Sequence, residues 1–294
     1  MAAPRSGARK FLRLVVIEHS VFALPFAYLS ALTAMFDAGG RADWPKLALI
    51  TVAMVGARTF AMAVNRIIDR EIDARNPRTA QRELVTGEMQ VRTAGIGAAA
   101  ALAVFVGAAA LLSPLCVALA PAAAAVLVVY PYAKRFTWAP HAFLALAQAI
   151  GPIGAWIAVA NGLPWSAGLL GAGVGLWIGG FDVIYSCQDV EADRVQGVHS
   201  IPADFSVAAG LAAARLTHVV TFGLFAAFGA LEGFGTLYWI GLAGTALAFV
   251  YEHALVRPHD LSKVNRAFFT VNGFVGIWLF AWALGDLAVR GLKA

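Results

Sequence analysis

Stretches of about 20 mainly apolar residues recur along the chain, at roughly 11–36, 44–68, 91–112, 114–133, 139–161, 165–189, 211–231, 235–255 and 267–288. A helix needs about 20 such residues to cross the hydrocarbon core of a bilayer, so the pattern predicts an all-α polytopic membrane protein with about nine transmembrane helices. Little polar sequence is left over for a soluble module: 60% of the 294 residues are apolar and 13% charged, against about 45–50% and about 25% in soluble domains. Residues 1–294 are therefore read as one membrane domain. Only Ser113 and Pro114 part the third stretch from the fourth, which predicts a tight helical hairpin. The basic start is like a signal-peptide leader, but the long apolar run behind it contains Glu18 and His19 and is read as a retained first span.

The net charge of +5 does not point to nucleic acid, because the basic residues cluster between apolar stretches in the alternating way that membrane topology produces. Arg5, Arg9, Lys10 and Arg13, the run Arg66, Arg70, Arg75, Arg78 and Arg82, the pair Lys134 and Arg135, and the trio Arg257, Lys263 and Arg266 fall at alternate connections. The connections at Ser113-Pro114, Asn161-Gly162 and Leu231 to Gly233 hold no basic residue. This predicts a cytoplasmic N-terminus in the cytoplasmic membrane, with both long polar loops, about 70–90 and 189–207, on the cytoplasmic face. Cys116 and Cys187 lie in apolar surroundings without the paired spacing of a zinc or disulfide framework, and are read as packing residues.

Both polar loops open on acidic clusters. Asn65, Asp69 and Asp73 recur every four residues and so share a helical face; Asp182, Asp189 and Asp193 fall at offsets close to one stripe. Magnesium takes hard oxygen ligands and is typically held by one or two carboxylates together with substrate phosphates, so the facing clusters suit a metal-bound diphosphate. Arg70, Arg78, Arg82 and Arg194 stand where they can hold phosphate oxygens. The plainer reading, two solvated helix ends with ordinary surface charge, does not explain why both clusters fall on one face. The 115 to 120 residues between corresponding acids suggest two related helical halves.

Arg58 lies two turns before Asn65 on the same face, inside a span where a central Arg costs about 2.5–3.5 kcal/mol. It reads either as a clamp for a substrate carboxylate or as a structural partner of Glu18. Tyr130 and Lys134 close the fourth span, as site residues or as interface anchors. Gln148 and Asn272 read as interhelical hydrogen-bonding groups, and His19 as packing.

With Asn65-x-x-x-Asp69-x-x-x-Asp73, Asn76-Pro77-Arg78-Thr79, Tyr130 to Lys134, and Asp189-x-x-x-Asp193 followed by Gly197-x-His199-Ser200-Ile201-Pro202, the chain resembles the UbiA-type membrane prenyltransferases over nearly its whole length. That family has nine transmembrane helices and two Asp-rich motifs facing one cavity. The resemblance implies that Asn65, Asp69, Asp73, Asp189 and Asp193 bind Mg²⁺ and diphosphate, with Asp69, Asp189 and Asp182 catalytic. It also implies that Arg78, Arg82, Tyr130 and Lys134 hold the phosphates, while Arg58 and Asp182 serve the acceptor. The stretch from Ile17 to Ala27 and that from Asp182 to Asp189 look more like the futalosine-pathway menaquinone branch than like the ubiquinone enzymes.

The expected activity is transfer of a polyprenyl group from polyprenyl diphosphate to an aromatic acid, 4-hydroxybenzoate or 1,4-dihydroxy-6-naphthoate, with membrane lipid around the protein and no obligate protein partner. The rival reading is a membrane transporter, since buried charges and two similar halves also describe carriers. The acidic clusters, however, lie at helix ends and not at the bilayer midplane where carriers bind.

Overall fold

The computed structural model describes residues 24–293 together with Phe11 and Leu14. Among these, regular structure is helical apart from isolated bridges. The long helices are α1 (Leu24–Asp37), α2 (Trp44–Ile68), α5 (Val91–Leu112), α6 (Pro114–Ala133), α7 (Pro140–Ala160), α8 (Trp165–Ser186), α11 (Val207–Leu231), α12 (Thr236–Leu255) and α13 (Asn272–Val289), the last entered through a π-helical turn, Arg266–Val271. Short helices fill the two polar loops: α3 (Arg70–Arg75) and α4 (Glu83–Thr86) in the first, α9 (Val190–Gln196) and α10 (Ile201–Asp204) in the second.

Seven helical segments among the described residues are long and apolar enough to cross a membrane, and the chain is an integral membrane protein. The expected first span falls partly outside the described residues, as do Glu18 and His19, and α1 is its main described part. The expected span at 235–255 forms α12, which is not among the seven; Glu252 and His253 lie in its last turns. The span expected from 211 begins a turn earlier, where the Ser206 hydroxyl caps α11 by accepting from the Ala209 amide.

The expected hairpin is present. Ser113 ends α5 and caps α6, its hydroxyl accepting from the Cys116 amide at 3.1 Å, with Pro114 in the first turn where a missing N–H costs nothing. Beside it, the Asn161 side chain at the end of α7 accepts from Leu115 N at 3.1 Å. Two of the three connections without basic residues thus lie together.

Helix α8 is central: 72% of its apolar window is buried, against 17–39% in the other six. It packs on α7 and α11, while α2 packs on α5. Lipid tails are as apolar as these side chains, so close backbone approach rather than hydrophobic burial drives such packing. Gly179 illustrates this, since a Cβ there would come within 3.0 Å of the His141 carbonyl oxygen of α7. Large apolar residues remain exposed on the outer helices, Leu111, Leu216, Leu247 and Val250 among them, where lipid solvates them.

Candidate active site

Each acidic motif sits at a helix break. α2 ends at Asp69 (φ −90°, ψ 1°), from which α3 departs, and α8 gives way to α9 at Asp189 (φ −101°, ψ 2°). The local hydrogen bonds match: Asp73 N donates to Asp69 O and Asp193 N to Asp189 O, both at 2.8 Å. The periodicity of the first motif therefore survives the break, and each half presents a carboxylate at its kink and another one turn on.

The halves meet through Asn76 and Arg78, which follow the first motif. Arg78 grips Asp189 with a fork, Nε to Oδ1 at 3.0 Å and Nη2 to Oδ2 at 2.6 Å, and Asn76 Nδ2 adds a third hydrogen bond to Oδ1 at 3.0 Å. Burial works against the charge on Arg78, but the hydrogen bonds and charge of Asp189 outweigh it and raise its pKa. Arg82 pairs with Asp73 at 2.5 Å. Lys134 reaches Asp69 at 2.6 Å and Arg135 reaches it at 3.3 Å, while Asn65 Nδ2 donates to Asp69 Oδ2 at 2.9 Å. With 2% of its side chain exposed, an Asp69 carboxylate without these partners would carry the full cost of burying a charge.

Asp193 differs: among the described residues no hydrogen bond or ion pair reaches its carboxylate. Burial, and next the charge of Asp189, push its pKa up to about 7. A carboxylate with no cation bonded to it, beside a second carboxylate, is a place for a divalent ion. Among the described residues no three His, Cys, Asp or Glu side chains already converge as a chelating group; Asp69, Asp73 and Asp189 are engaged by basic side chains. The donor set nevertheless fits magnesium: the residues are hard oxygen ligands, and the Asn76–Asp189 bond ties the segment that follows the first motif to the second. Arg194, expected at the phosphates, donates its Nε to Ala203 O at 2.8 Å, and Arg70 its Nε to Leu84 O at 3.0 Å.

An apolar cavity of about 340 Å³ lies among α2, α5, α6 and α7, with Arg58, Tyr130 and Gln148 among its polar lining. Arg58 Nε is buried without a hydrogen-bond partner among the described residues. Tyr130, which lines this cavity, lies one turn before Lys134, which pairs with Asp69. Gln148 corrects its sequence reading: it faces the cavity and makes no interhelical hydrogen bond among the described residues. Asn272 does bridge helices, accepting from Trp177 Nε1 and donating to Glu252 Oε1, each at 2.7 Å. Both cysteines are free.

Two residues escaped the sequence reading. His141, near the start of α7, pairs its Nδ1 with Asp182 Oδ2 at 2.9 Å. The Tyr185 hydroxyl accepts from Arg78 Nη1 at 3.3 Å, with the guanidinium 5.0 Å from the ring centroid. Tyr185 stands four residues before Asp189, the one signal that placed it near the second motif; the partner of His141 is 41 residues away and left no local trace.

This arrangement of apolar helices around paired acidic motifs defines a class, and residues 23–284 match the sequence model of the UbiA prenyltransferase family, to which the chain belongs. It is a prenyltransferase, which sets aside the transporter reading. Among curated relatives, the 4-hydroxybenzoate octaprenyltransferase of Paraburkholderia phytofirmans is 29% identical over 92% of this chain and 93% of its own, and that of Nitrosococcus oceani is 33% identical over 90% of each. The apo structure of a UbiA homolog from Aeropyrum pernix K1 aligns with a TM-score of 0.83 at 34% identity, over 92% of this chain and 98% of that one. A UbiA homolog from Archaeoglobus fulgidus bound to GPP and Mg²⁺ shares the fold at a TM-score of 0.72 and 18% identity, covering 95% and 99%.

Proposed function

We propose that the chain catalyses magnesium-dependent transfer of a polyprenyl group from its diphosphate to the ring of a hydroxylated aromatic acid for quinone synthesis. The observation that carries this reading is the clasp of Arg78 and Asn76, from the first motif, on Asp189 of the second, with an apolar cavity containing Arg58 alongside. The names of the curated relatives favour 4-hydroxybenzoate as acceptor. A second reading, 1,4-dihydroxy-6-naphthoate, is supported by the likeness of the sequences from Ile17 to Ala27 and from Asp182 to Asp189 to the futalosine-pathway branch. The reading includes about nine transmembrane helices in the cytoplasmic membrane, with both motifs on the cytoplasmic side where the basic connections fall.

Bound magnesium supplies Lewis-acid neutralisation of the diphosphate, and Asn65, Asp69, Asp73, Asp189 and Asp193 would hold it. Arg78, Arg82 and Lys134 exchange their carboxylate partners for phosphate oxygens, so positive charge is in place where the leaving group gathers negative charge. The allylic C–O bond breaks with its electron pair leaving on diphosphate, a ring carbon forms the new C–C bond, and the ring C–H proton passes to the released diphosphate, which restores aromaticity. Arg58 fixes the acceptor carboxylate, and Asp182 accepts a hydrogen bond from its hydroxyl, enriching the ring in electrons. The apolar helices keep water from the allylic cation.

Purified protein given geranyl diphosphate, Mg²⁺ and 4-hydroxybenzoate or 1,4-dihydroxy-6-naphthoate tests this. Pyrophosphate release that requires the metal and one of the acids is expected. Release at the same rate without any acid contradicts aromatic transfer.

A further inference from the structure

The inference concerns His141 and rests on the reading of Asp182 as the carboxylate on the acceptor side. Asp182 lies on α8 at the end of a glycine-bearing face, Gly175, Gly179, Asp182, that packs against α7. A Cβ at Gly179 would press on the His141 carbonyl oxygen, and one at Gly175 on that of Ala145. The missing side chains let the two backbones approach, which brings the imidazole within hydrogen-bond reach of Asp182 at 2.9 Å.

The imidazole is buried, with 8% of its side chain exposed, whereas Asp182 keeps 34% of its own exposed. His141 Nε2 is buried and has no hydrogen-bond partner among the described residues. A buried N–H without an acceptor is rarer and costlier than a lone pair without a donor, so the ring proton belongs on Nδ1, where it is donated to Asp182 Oδ2. No hydrogen bond among the described residues reaches the other carboxylate oxygen.

We propose that His141 is a positioning residue for prenyl transfer: it pins one oxygen of Asp182 from behind and leaves the other oriented to accept a hydrogen bond from the hydroxyl of the aromatic acceptor. An unpinned carboxylate rotates about its side-chain torsions and loses part of the orientation that makes an acceptor group effective. The imidazole needs no contact with substrate for this.

The test compares His141→Ala, His141→Asn, His141→Gln and Asp182→Asn in purified protein with geranyl diphosphate and 4-hydroxybenzoate. His141→Ala is expected to lower kcat/KM for the acceptor about tenfold and leave the KM for geranyl diphosphate unchanged. His141→Asn, whose amide N–H lies where Nδ1–H lay, is expected to recover most of that loss; His141→Gln, whose amide lies nearer Nε2, is not. If the Ala variant does not fold, the Asn and Gln pair decides. Equal activity of Asn and Gln variants, or a rise in the geranyl diphosphate KM alongside the acceptor defect, overturns the proposal in favour of simple packing. Asp182→Asn separates the two levels: an unaltered acceptor kcat/KM there refutes the reading of Asp182 itself, while an Asp182→Asn defect beside a fully active His141→Ala variant refutes only the role of His141.

Discussion

Replacing Arg78 by Lys keeps the positive charge and removes the fork that joins the two acidic motifs. The guanidinium makes two charge-assisted hydrogen bonds to Asp189, a class worth about 1.5–3 kcal/mol each when buried. The side chain of Arg78 is 36% exposed, however, and that of Asp189 12%, so solvent screening reduces the whole fork to roughly 1–2 kcal/mol. Lys can keep one of the two contacts and loses the planar guanidinium over the Tyr185 ring, which leaves a stability loss of about 1 kcal/mol. Catalysis should suffer more than folding, because a planar donor aimed at phosphate is worth most as charge gathers on the leaving group. We expect Arg78→Lys to lower kcat/KM for prenyl diphosphate roughly 10- to 100-fold, about 1.4–2.7 kcal/mol, with the acceptor KM little changed. Steady-state kinetics with each substrate varied in turn, beside thermal unfolding in the same detergent, measure both quantities. Wild-type kcat/KM in the Lys variant, or a defect confined to the acceptor, would refute the assignment of Arg78 to the diphosphate.

Three further outcomes follow from the same geometry. Asp69→Ala leaves Lys134 and Arg135 without their carboxylate and removes an expected metal ligand; prenyl transfer should vanish while the protein still inserts in membranes, and turnover by the purified variant in Mg²⁺ buffer would contradict the metal assignment. Arg58→Lys should raise the acceptor KM about tenfold and spare that of prenyl diphosphate, because Arg58 stands about 10 Å along α2 from Asn65 at 1.5 Å per residue; the reverse pattern places Arg58 on the phosphates. Cysteines introduced at Arg75 and Gln196 should be labelled only after the inner membrane face is exposed, and labelling from outside intact cells would invert the topology.

What the sequence made legible was local or periodic. Asn65, Asp69 and Asp73 announced themselves by i, i+4 spacing because consecutive turns of one helix place them together, and Ser113-Pro114 announced its hairpin as the one break between two apolar runs. The partners of these residues are set by tertiary packing and were not legible: Arg78 meets Asp189 across 111 residues, and His141 meets Asp182 only because glycines let α7 and α8 approach. Gln148 shows the limit most plainly. A polar residue in an apolar span reads equally as a bridge between helices or as the lining of a cavity, and only the placement of α2, α6 and α7 around it decides for the cavity.

The most direct test of the central claim is the identity of the product formed by the purified protein from labelled prenyl diphosphate, Mg²⁺ and the candidate aromatic acids offered separately. The account predicts a ring-prenylated acid, with a new carbon–carbon bond and one pyrophosphate released per product, formed from at least one of the hydroxylated acids. Prenyl alcohol as the sole labelled product with every acid, or a label attached through an ester oxygen, would contradict it.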